Sequence, residues 1–459
     1  MRLDDTIATI STALAPSGIG VVRVSGMQAV ACVRPLFQPD KKSFNWDHAE
    51  SHKLYHGWLF DGEIPLDEVL VVLMRAPHSY TTEDLIEIQC HGSIVVLETL
   101  LKLLMRHGAR LAQPGEFTQR AFIHGRLDLT RVEAISDLIH ARSSVSMQIA
   151  VNQLRGKLFQ KIEALREIVA ALTALVNARI DFSEEEEEFT DREHCLIQVA
   201  HIQDSLKEML RTAEQGKLLR SGIGVALIGR PNVGKSSLLN CLLKEERAIV
   251  TDIPGTTRDV IEEAVQIQGV LVRLIDTAGI RQTDNEVERE GIRRSHDARS
   301  LADVVLLLLD AASPLTVEDR GLLEIASPEN TLVLLNKGDL VQYKKPDWLH
   351  EISQFPHLMM STRSKEDIQK LENFLITSVL RGVSDHQEQV MITNLRQQQA
   401  AQKALEAIRW AEKDLLEQAG EECVAVDLDR CLKALGEIVG ETTVDDLLDR
   451  IFSEFCIGK

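Results

Sequence analysis

The sequence lacks the features of a secreted, membrane-spanning or strongly basic protein. Its seven cysteines are scattered and odd in number, so we expect free thiols in a reducing compartment. The net charge of −19 argues against indiscriminate nucleic-acid binding, because phosphate contacts need clustered lysine and arginine. The most apolar run, Val304–Leu309, is far too short to span a bilayer, and the N-terminal residues have no signal-peptide character. We therefore expect a cytoplasmic chain with no membrane partner.

The first part of the chain has mixed α/β patterning. The 459 residues suffice for two to four domains, and 44% hydrophobic with 26% charged residues is ordinary for a globular protein. Residues 1–120 contain strand-like segments at Gly20–Val24 and Glu68–Leu73. They also contain an amphipathic helical pattern at Ser93–His107, which Gly108 closes. We predict an N-terminal α/β domain over these residues.

Two later stretches have helical periodicity instead. One covers residues 121–217, with helical patterning to about Gly216, and the other covers 381–459. The acidic run Ser183–Glu188 interrupts the first stretch. Such a run is typical of a solvated loop or of the start of a helix, and a cation site is the alternative. We predict one all-α domain built from both stretches, with a further α/β domain inserted between them at residues 218–380.

The inserted region begins with a phosphate-binding pattern. Gly229–Ser236 matches G-x-x-x-x-G-K-[ST], and it follows the strand-like Ile223–Ile228 and precedes the helical Ser237–Leu243. A strand, a glycine loop and a helix together cradle phosphate, because backbone N–H groups and the positive helix end point at the anion. We predict that Lys235 reaches the β and γ phosphates and that Ser236 ligates Mg²⁺.

Three further motifs follow in the order and spacing of a GTPase. Asp276–Gly279 ends a strand-like segment and supplies an acidic metal partner and a glycine that senses the γ phosphate. Asn336–Asp339 matches N-K-x-D, whose Asp339 carboxylate accepts two guanine hydrogen bonds that adenine does not offer. Gly255–Asp259 lies between the first two motifs, where a switch loop brings Thr257 to Mg²⁺. The sequence therefore predicts a Ras-like P-loop GTPase domain with GTP as substrate.

The residue after Asp276–Gly279 excludes one hydrolytic route. Ras-like enzymes place a glutamine there to orient the attacking water, whereas this chain has Ile280, which cannot hydrogen-bond to anything. Asn232, inside the phosphate loop, has a carbonyl oxygen that suits a hard monovalent cation. A cation held there is one substitute for the missing glutamine, and a carboxylate acting on the water is another.

The chain resembles the MnmE (TrmE) family of tRNA-modifying GTPases over essentially its whole length. The GTPase motifs are common to many families, but the N-terminal and C-terminal signatures are specific to this one. These are Gly18–Gly26, Glu87–Gly92, Pro114–Thr118, Arg126–Leu129 and Phe455–Lys459, which contains the C-terminal C-I-G-K sequence. The guanine-closing motif departs from the family pattern S-A-K or S-A-R and has the sequence Ser361-Thr362-Arg363.

The resemblance implies an activity, partners and cofactors. It implies an N-terminal folate-binding domain that forms a homodimer, and an FAD-containing partner, MnmG, in a heterotetramer. Together the two proteins install a carboxymethylaminomethyl or aminomethyl group on C5 of the wobble uridine of certain tRNAs. A tetrahydrofolate derivative, in its 5-formyl or methylene form, carries the one-carbon unit. K⁺ stands where other GTPases use an arginine finger.

The resemblance also assigns residues. Folate contacts fall on Arg23, Glu87, Arg126 and Lys459. The K⁺ ligands are Asn232, Thr251, Ile253 and Thr256, and catalysis falls to Glu288, Asn232 and Lys235. Nucleotide contacts fall on Asn232, Val233, Gly234, Lys235, Ser236, Ser237, Thr251, Asp252, Ile253, Pro254, Gly255, Thr256, Thr257, Asp276, Thr277, Ala278, Gly279, Asn336, Lys337, Gly338, Asp339, Ser361, Thr362 and Arg363.

Each of these assignments has a plainer alternative. By itself Glu288 also fits a solvated helix charge, and a lone Arg or Glu fits a surface charge. Cys456 is a candidate thiol for catalysis, or an inert free thiol on the C-terminal tail. At the level of the whole chain, the alternatives are a ribosome-assembly or translation-associated GTPase switch and a dynamin-like membrane GTPase. No second P-loop, aromatic RNA platform or basic amphipathic helix supports either of them.

Overall fold

The described residues contain two sheets, each in a different part of the chain. The structure, a computed structural model, describes residues 4–41, 44–181, 192–245, 263–275, 302–380, 390–441, 445–453, 455 and 458. The chain separates into two units, each built from segments that are distant in sequence. The first unit contains Met1–Ser136, Phe159–Glu167 and Leu432–Lys459, and the second contains Asp137–Leu158 and Ile168–Cys431. The predicted domain boundaries at residues 120, 217 and 380 were drawn from the type of secondary structure and not from the compactness that defines these two units. These boundaries stay predictions.

The first unit contains a seven-stranded sheet in the order β3-β4-β5-β6-β2-β1-β7. Its strands are β1 (Ile7–Ile10), β2 (Ser17–Ser25), β3 (Phe37–Pro39), β4 (Lys53–Asp61), β5 (Ile64–Met74), β6 (Leu85–Gly92) and β7 (Arg110–Leu111). Neighbouring strands are antiparallel except β1 and β7. Val22 and Val24 are buried on one face of β2, and Arg23 between them lies on the other face, opposite Glu87 of β6. The predicted strands around residues 20–24 and 68–73 are confirmed.

The predicted helix at Ser93–His107 is also confirmed, with bounds Ile94–Arg106. Its leucines recur at three- and four-residue spacing and bury one face against the sheet. Gly108, at φ +103°, ends it in a conformation that glycine adopts without strain. The helices of this part of the chain are α1 (Ala29–Val33), α2 (Ile94–Arg106), α3 (Glu116–Ile123) and α4 (Leu129–His140).

The second unit contains a six-stranded sheet in the order β13-β12-β11-β8-β10-β9, parallel except between β9 and β10. The strands are β8 (Ile223–Ile228), β9 (Glu263–Ile267), β10 (Val270–Ile275), β11 (Val304–Asp310), β12 (Thr331–Asn336) and β13 (His357–Met359). The central strands β8, β11 and β12 are continuous apolar runs because both faces of the sheet are covered. Since they are parallel, the loops that follow them lie at one edge.

The remaining helices of the described residues lie before, between and after the strands of the second sheet in the sequence. They are α5 (Ser144–Leu154), α6 (Lys157–Asp181), α7 (Arg192–Arg211), α8 (Ala213–Ser221), α9 (Lys235–Glu245), α10 (Val317–Ile325), α11 (Lys365–Leu380), α12 (Leu395–Glu417), α13 (Glu421–Val439) and α14 (Asp445–Ser453). Within the described part of the chain, none of the helices is long and apolar enough to cross a membrane.

Two glycines change the helical pattern that periodicity predicts. The helix breaks after Arg155, where Gly156 has φ +82°, so α5 and α6 are separate helices. The expectation that the first helical stretch ends near Gly216 is wrong, because α8 continues to Ser221. Gly216 lies inside that helix. Glycine is required there because a Cβ would clash with the carbonyl oxygen of Ile392. It is a packing position rather than a helix end.

Candidate functional site

The phosphate loop connects the end of β8 to the start of α9. Its two outer glycines are required by close approach. A Cβ on Gly229, at φ +153°, would lie 2.6 Å from the carbonyl oxygen of Leu308, and one on Gly234, at φ +106°, would clash with the Asn336 side chain. Asn232 has a left-handed backbone, with φ +63°, and an exposed side chain. Asparagine is among the few residues that tolerate this conformation.

The lysine of this loop makes hydrogen bonds to neutral groups. Lys235 Nζ donates to the carbonyl oxygens of Gly229 at 2.5 Å and Arg230 at 3.0 Å. Burial lowers the pKa of the ammonium group, because the charged form is poorly solvated. Exchange of these carbonyl partners for phosphate oxygens would therefore be favourable, since charge-assisted hydrogen bonds to an anion are stronger than hydrogen bonds to neutral groups.

Asn336 joins the phosphate loop to the guanine side of the site. Its side-chain nitrogen donates to the Val233 carbonyl at 2.7 Å, and its side-chain oxygen accepts from the Thr362 amide at 3.2 Å. The Ser361 amide donates to Asp367 Oδ2 at 2.9 Å, so this carboxylate anchors the closing motif. The structure thus brings three of the predicted segments together, including the divergent Ser361-Thr362-Arg363. Asp339 is exposed beside them.

Other predicted residues lie outside the described residues. They are Thr251, Asp252, Ile253, Pro254, Gly255, Thr256, Thr257, Asp276, Thr277, Ala278, Gly279, Glu288, Cys456 and Lys459. The predicted roles of these residues in Mg²⁺, K⁺ and γ-phosphate binding, in water activation and in folate binding stay predictions.

A second cluster of predicted residues lies on the sheet of the first unit. Arg23 Nε donates to Glu87 Oε1 at 2.6 Å, across the β2–β6 pair, and Arg23 Nη1 donates to the Gly458 carbonyl at 3.2 Å. The C-terminal tail therefore reaches this ion pair. A Cβ on Gly458, at φ +106°, would lie 2.7 Å from the backbone of Ser11, so this close approach requires glycine.

Tyr80 connects the predicted cations, and sequence reasoning missed it. The guanidinium carbons of Arg126 and Arg23 lie 4.9 and 5.8 Å from the centre of its ring. Arg126 Nη1 also donates to the Tyr80 carbonyl at 2.8 Å. The Tyr80 hydroxyl is 2.9 Å from Thr118 Oγ1, and burial raises its pKa. Two of the four predicted folate residues thus lie near one ring, and a third, Glu87, is paired with Arg23.

A buried ion network supports the same region. Arg120 is fully buried and pairs with Asp5 at 2.6 Å and with Glu83 and Glu116 at 3.1 Å. Burial opposes the charge of Glu116, but hydrogen bonds from Arg110, a backbone amide and Arg120 outweigh it and lower the pKa. The network joins the segment after β5 to α3, which carries Thr118.

The fold of the second unit and its three converging loops define a P-loop GTP-binding protein. Family models match two parts of the chain: "GTP-binding protein TrmE N-terminus" covers residues 6–126 and "MnmE helical domain" covers residues 129–456. The tRNA modification GTPase MnmE of Syntrophus aciditrophicus is 46% identical over 463 residues, with full coverage of both chains. That of Natranaerobius thermophilus is 41% identical over 459 residues, covering 99% of this chain and all of the relative.

The chain therefore belongs to the MnmE family, and it is a GTP hydrolase of tRNA modification. This membership sets aside the ribosome-assembly and dynamin-like alternatives. Among solved structures, the G domain of the T. maritima FeoB iron transporter is 25% identical and covers 34% of this chain and 98% of its own, with a TM-score of 0.26. A score that low carries no weight for function.

Proposed function

We propose that this GTPase acts with an FAD-containing partner, MnmG, on C5 of the wobble uridine of certain tRNAs. The two proteins add a carboxymethylaminomethyl or aminomethyl group, and a tetrahydrofolate derivative carries the one-carbon unit. Full-length similarity to tRNA modification GTPases supports the tRNA substrate. We further propose a homodimer formed by the N-terminal domain, which assembles with the partner as a heterotetramer.

The observation that carries the folate part of the proposal is that Arg23 and Arg126 lie near the Tyr80 ring while Arg23 is paired with Glu87. Glu87 offers a carboxylate to the amine and ring N–H of a pterin, and the arginines offer positive charge to an anionic glutamate tail. Arg23 and Arg126 are already held against one ring, so they lose little conformational freedom when a ligand binds. Lys459 is proposed to add a third cation, next to Gly458.

In the nucleotide site, we propose that Lys235 leaves its two carbonyl partners for the β and γ phosphates. Ser236 and Thr257 are the proposed Mg²⁺ ligands, and Glu288 the group that acts on the attacking water. The exposed side chain of Asn232 on a left-handed backbone supports the K⁺ proposal, since its carbonyl oxygen is a hard donor beside the phosphates. When bound there with Thr251, Ile253 and Thr256, K⁺ supplies positive charge to the transition state.

We also propose that the GTPase domain is inserted into a helical domain built from two stretches. Helix α7 precedes the phosphate loop in sequence and α12 follows the whole second sheet, yet the two pack side by side. Gln203 of α7 donates to Glu412 of α12 at 2.7 Å. This pairing across the inserted segment is what a discontinuous helical domain requires.

The folate proposal is tested by direct binding. Glu87→Gln keeps the shape of the side chain but removes the charge that accepts the pterin donors. We expect affinity for 5-formyltetrahydrofolate, measured by equilibrium dialysis, to fall about tenfold or more, because a charged hydrogen bond is lost. GTP turnover should not change. The matched control is Glu63→Gln, an exposed carboxylate on the loop before β5. Equal affinity in the two variants would overturn the proposal.

A further inference from the structure

One acidic residue stands between the two nucleotide-binding loops. Asp310 is the last residue of β11, which lies between β8 and β12 in the sheet. β8 leads into the phosphate loop, and β12 leads into the N-K-x-D loop. In register, Asp310 is the partner of Asn336, the first residue of the N-K-x-D motif. A charge at this position can act on both loops.

The Asp310 carboxylate contacts a cation from each loop. Lys337 Nζ donates to Asp310 Oδ2 at 2.7 Å, and Arg230 Nη2 of the phosphate loop lies 4.0 Å from the same oxygen. The other oxygen, Oδ1, accepts from the Ala312 amide at 2.9 Å. The Asp310 side chain is only 13% exposed, so water screens these interactions weakly.

Arg230 is held from its far side as well. Its Nη2 donates to Ser313 Oγ at 2.7 Å, and its Nε lies 3.3 Å from Asp319, which is buried. The carbonyl of Arg230 is one of the two partners of Lys235. Asp310 is thus connected, through Arg230, to a carbonyl oxygen that the phosphate-loop lysine binds.

Lys337 is equally constrained. It is a non-glycine residue with φ +62°, a conformation that is uncommon and needs support from the surrounding structure. The ion pair with Asp310 supplies that support two residues before Asp339, the predicted guanine reader. Without the Asp310 charge, two cations would face each other across the end of β11.

We propose that Asp310 is a positioning residue for guanine recognition. It fixes the turn at Lys337 so that Asp339 faces the base, and through Arg230 it ties this turn to the phosphate loop. Recognition of the guanine base and binding of the phosphates are therefore coupled through the Asp310 carboxylate. Asp310 itself does not touch the nucleotide in this proposal. It rests on the GTPase activity of the family and not on the folate or K⁺ proposals.

The test compares GTP with inosine triphosphate, which lacks the 2-amino group that Asp339 accepts. Asp310→Asn keeps the side-chain shape and removes the charge. We expect its affinity for GTP to fall about tenfold or more, as for loss of a charged hydrogen bond. Affinity for inosine triphosphate should fall less, so the preference for GTP should drop by about threefold or more, because the misplaced carboxylate loses two contacts to guanine and only one to hypoxanthine. Glu318→Gln, an exposed carboxylate on α10, is the matched control and should change neither affinity.

A second variant separates positioning from general stabilisation. Lys337→Met removes the same ion pair from a partly exposed side chain, and it should also lower the preference for GTP over inosine triphosphate. In the double variant, the loss of preference should be smaller than the sum of the two single losses, because both changes break the same Lys337–Asp310 ion pair. The proposal is overturned if Asp310→Asn lowers the affinities for GTP and inosine triphosphate equally, or if it leaves the affinity for GTP within about twofold of that of the unaltered chain. If Asp310→Asn does not fold, the same two outcomes are decided with Lys337→Met.

Discussion

The phosphate loop and the N-terminal cluster, which consists of Arg23, Glu87, Tyr80 and Arg126, differ in the partners that their cations have. In the loop, the Lys235 ammonium has two neutral carbonyl oxygens as partners, and burial lowers its pKa. In the cluster, the Arg23 guanidinium already has the Glu87 carboxylate as its partner and lies near the Tyr80 ring. The first site therefore presents a charge that its hydrogen-bond partners do not compensate, whereas the second presents a charge that an anion already balances.

This difference implies different ligands. A polyanion gains at Lys235 because charge-assisted hydrogen bonds replace bonds to neutral groups. At Arg23, a simple anion would displace Glu87 from its partner and leave that partly buried carboxylate uncompensated. A ligand that fits must offer donors to Glu87 and negative charge to the arginines at the same time. A folate, with a pterin at one end and a glutamate tail at the other, meets both conditions.

The N-terminal cluster is supported by the buried ion network around Arg120. Arg120→Met removes the fully buried cation that Asp5, Glu83 and Glu116 share. Arg110 still pairs with Asp5 and Glu116, so we expect the free energy of unfolding to fall by about 3 kcal/mol, the lower end of the cost of breaking a buried pair. Urea unfolding, with hydrogen exchange of β1 and β2, measures this loss. Arg106→Met, at a mostly exposed arginine, should change stability by less than about 0.5 kcal/mol. An Arg120→Met chain as stable as this control would contradict the account.

The same network predicts a pH dependence of stability. Hydrogen bonds from Arg110 lower the pKa of Asp5 despite some burial, and the pKa of Glu116 is also lowered. Carboxyls with a lowered pKa stabilise the folded state fully above their ordinary values near 4. That stabilisation disappears as the pH falls through the lowered values. Urea midpoints measured from pH 7 to pH 2 should drop below about pH 4, and less steeply in Arg120→Met.

The phosphate loop should respond to the monovalent cation, and the N-terminal cluster should not. Asn232→Ala removes one proposed K⁺ ligand but leaves Lys235 and the loop amides, which are the proposed phosphate ligands. We expect GTP binding to be nearly unchanged and K⁺-stimulated turnover to fall on the order of a hundredfold, as for loss of positive charge at a transition state. Phosphate release in KCl and in NaCl measures this effect. Equal turnover of the unaltered chain in both salts would rule out the K⁺ proposal.

The ring of Tyr80 should matter more than its hydroxyl. Tyr80→Leu removes the surface that holds Arg23 and Arg126, and folate affinity should fall about tenfold if each cation contributes about 0.5–1 kcal/mol. Tyr80→Phe loses only the contact with Thr118 and should lower affinity about two- to threefold. Equilibrium dialysis ranks the two variants. A greater loss in Tyr80→Phe than in Tyr80→Leu would show that the hydroxyl, and not the ring, organises the cluster.

Local patterns were enough to predict the elements that carry the nucleotide site. The strand-like run of β8, the glycine loop after it and the N-K-x-D motif after β12 are each visible in a few consecutive residues. Family resemblance assigned Arg23 and Glu87 to one site, but their pairing was not predicted, since these residues lie 64 positions apart and meet through strand register. Periodicity failed at Gly216, whose role depends on a distant carbonyl.

Tyr80 and Asp310 show what sequence reasoning could not find. Tyr80 belongs to no chemical motif, and its importance arises from two arginines that come from other elements. Asp310 gave a weak signal as the acidic residue that ends the most apolar run of the chain. That signal also fits an ordinary strand end, and only the order of strands in the sheet places Asp310 between the two loops.

We propose that the phosphate loop and the N-terminal cluster of this chain both serve one reaction on the wobble uridine. Mass spectrometry of wobble-uridine nucleosides tests it directly, in cells that lack the chain and express Lys235→Ala, Glu87→Gln or the control Glu63→Gln. We expect that Lys235→Ala and Glu87→Gln both leave the uridine unmodified, although purified Glu87→Gln hydrolyses GTP normally, and that Glu63→Gln restores the modification. Full modification in cells that express Glu87→Gln would contradict this proposal.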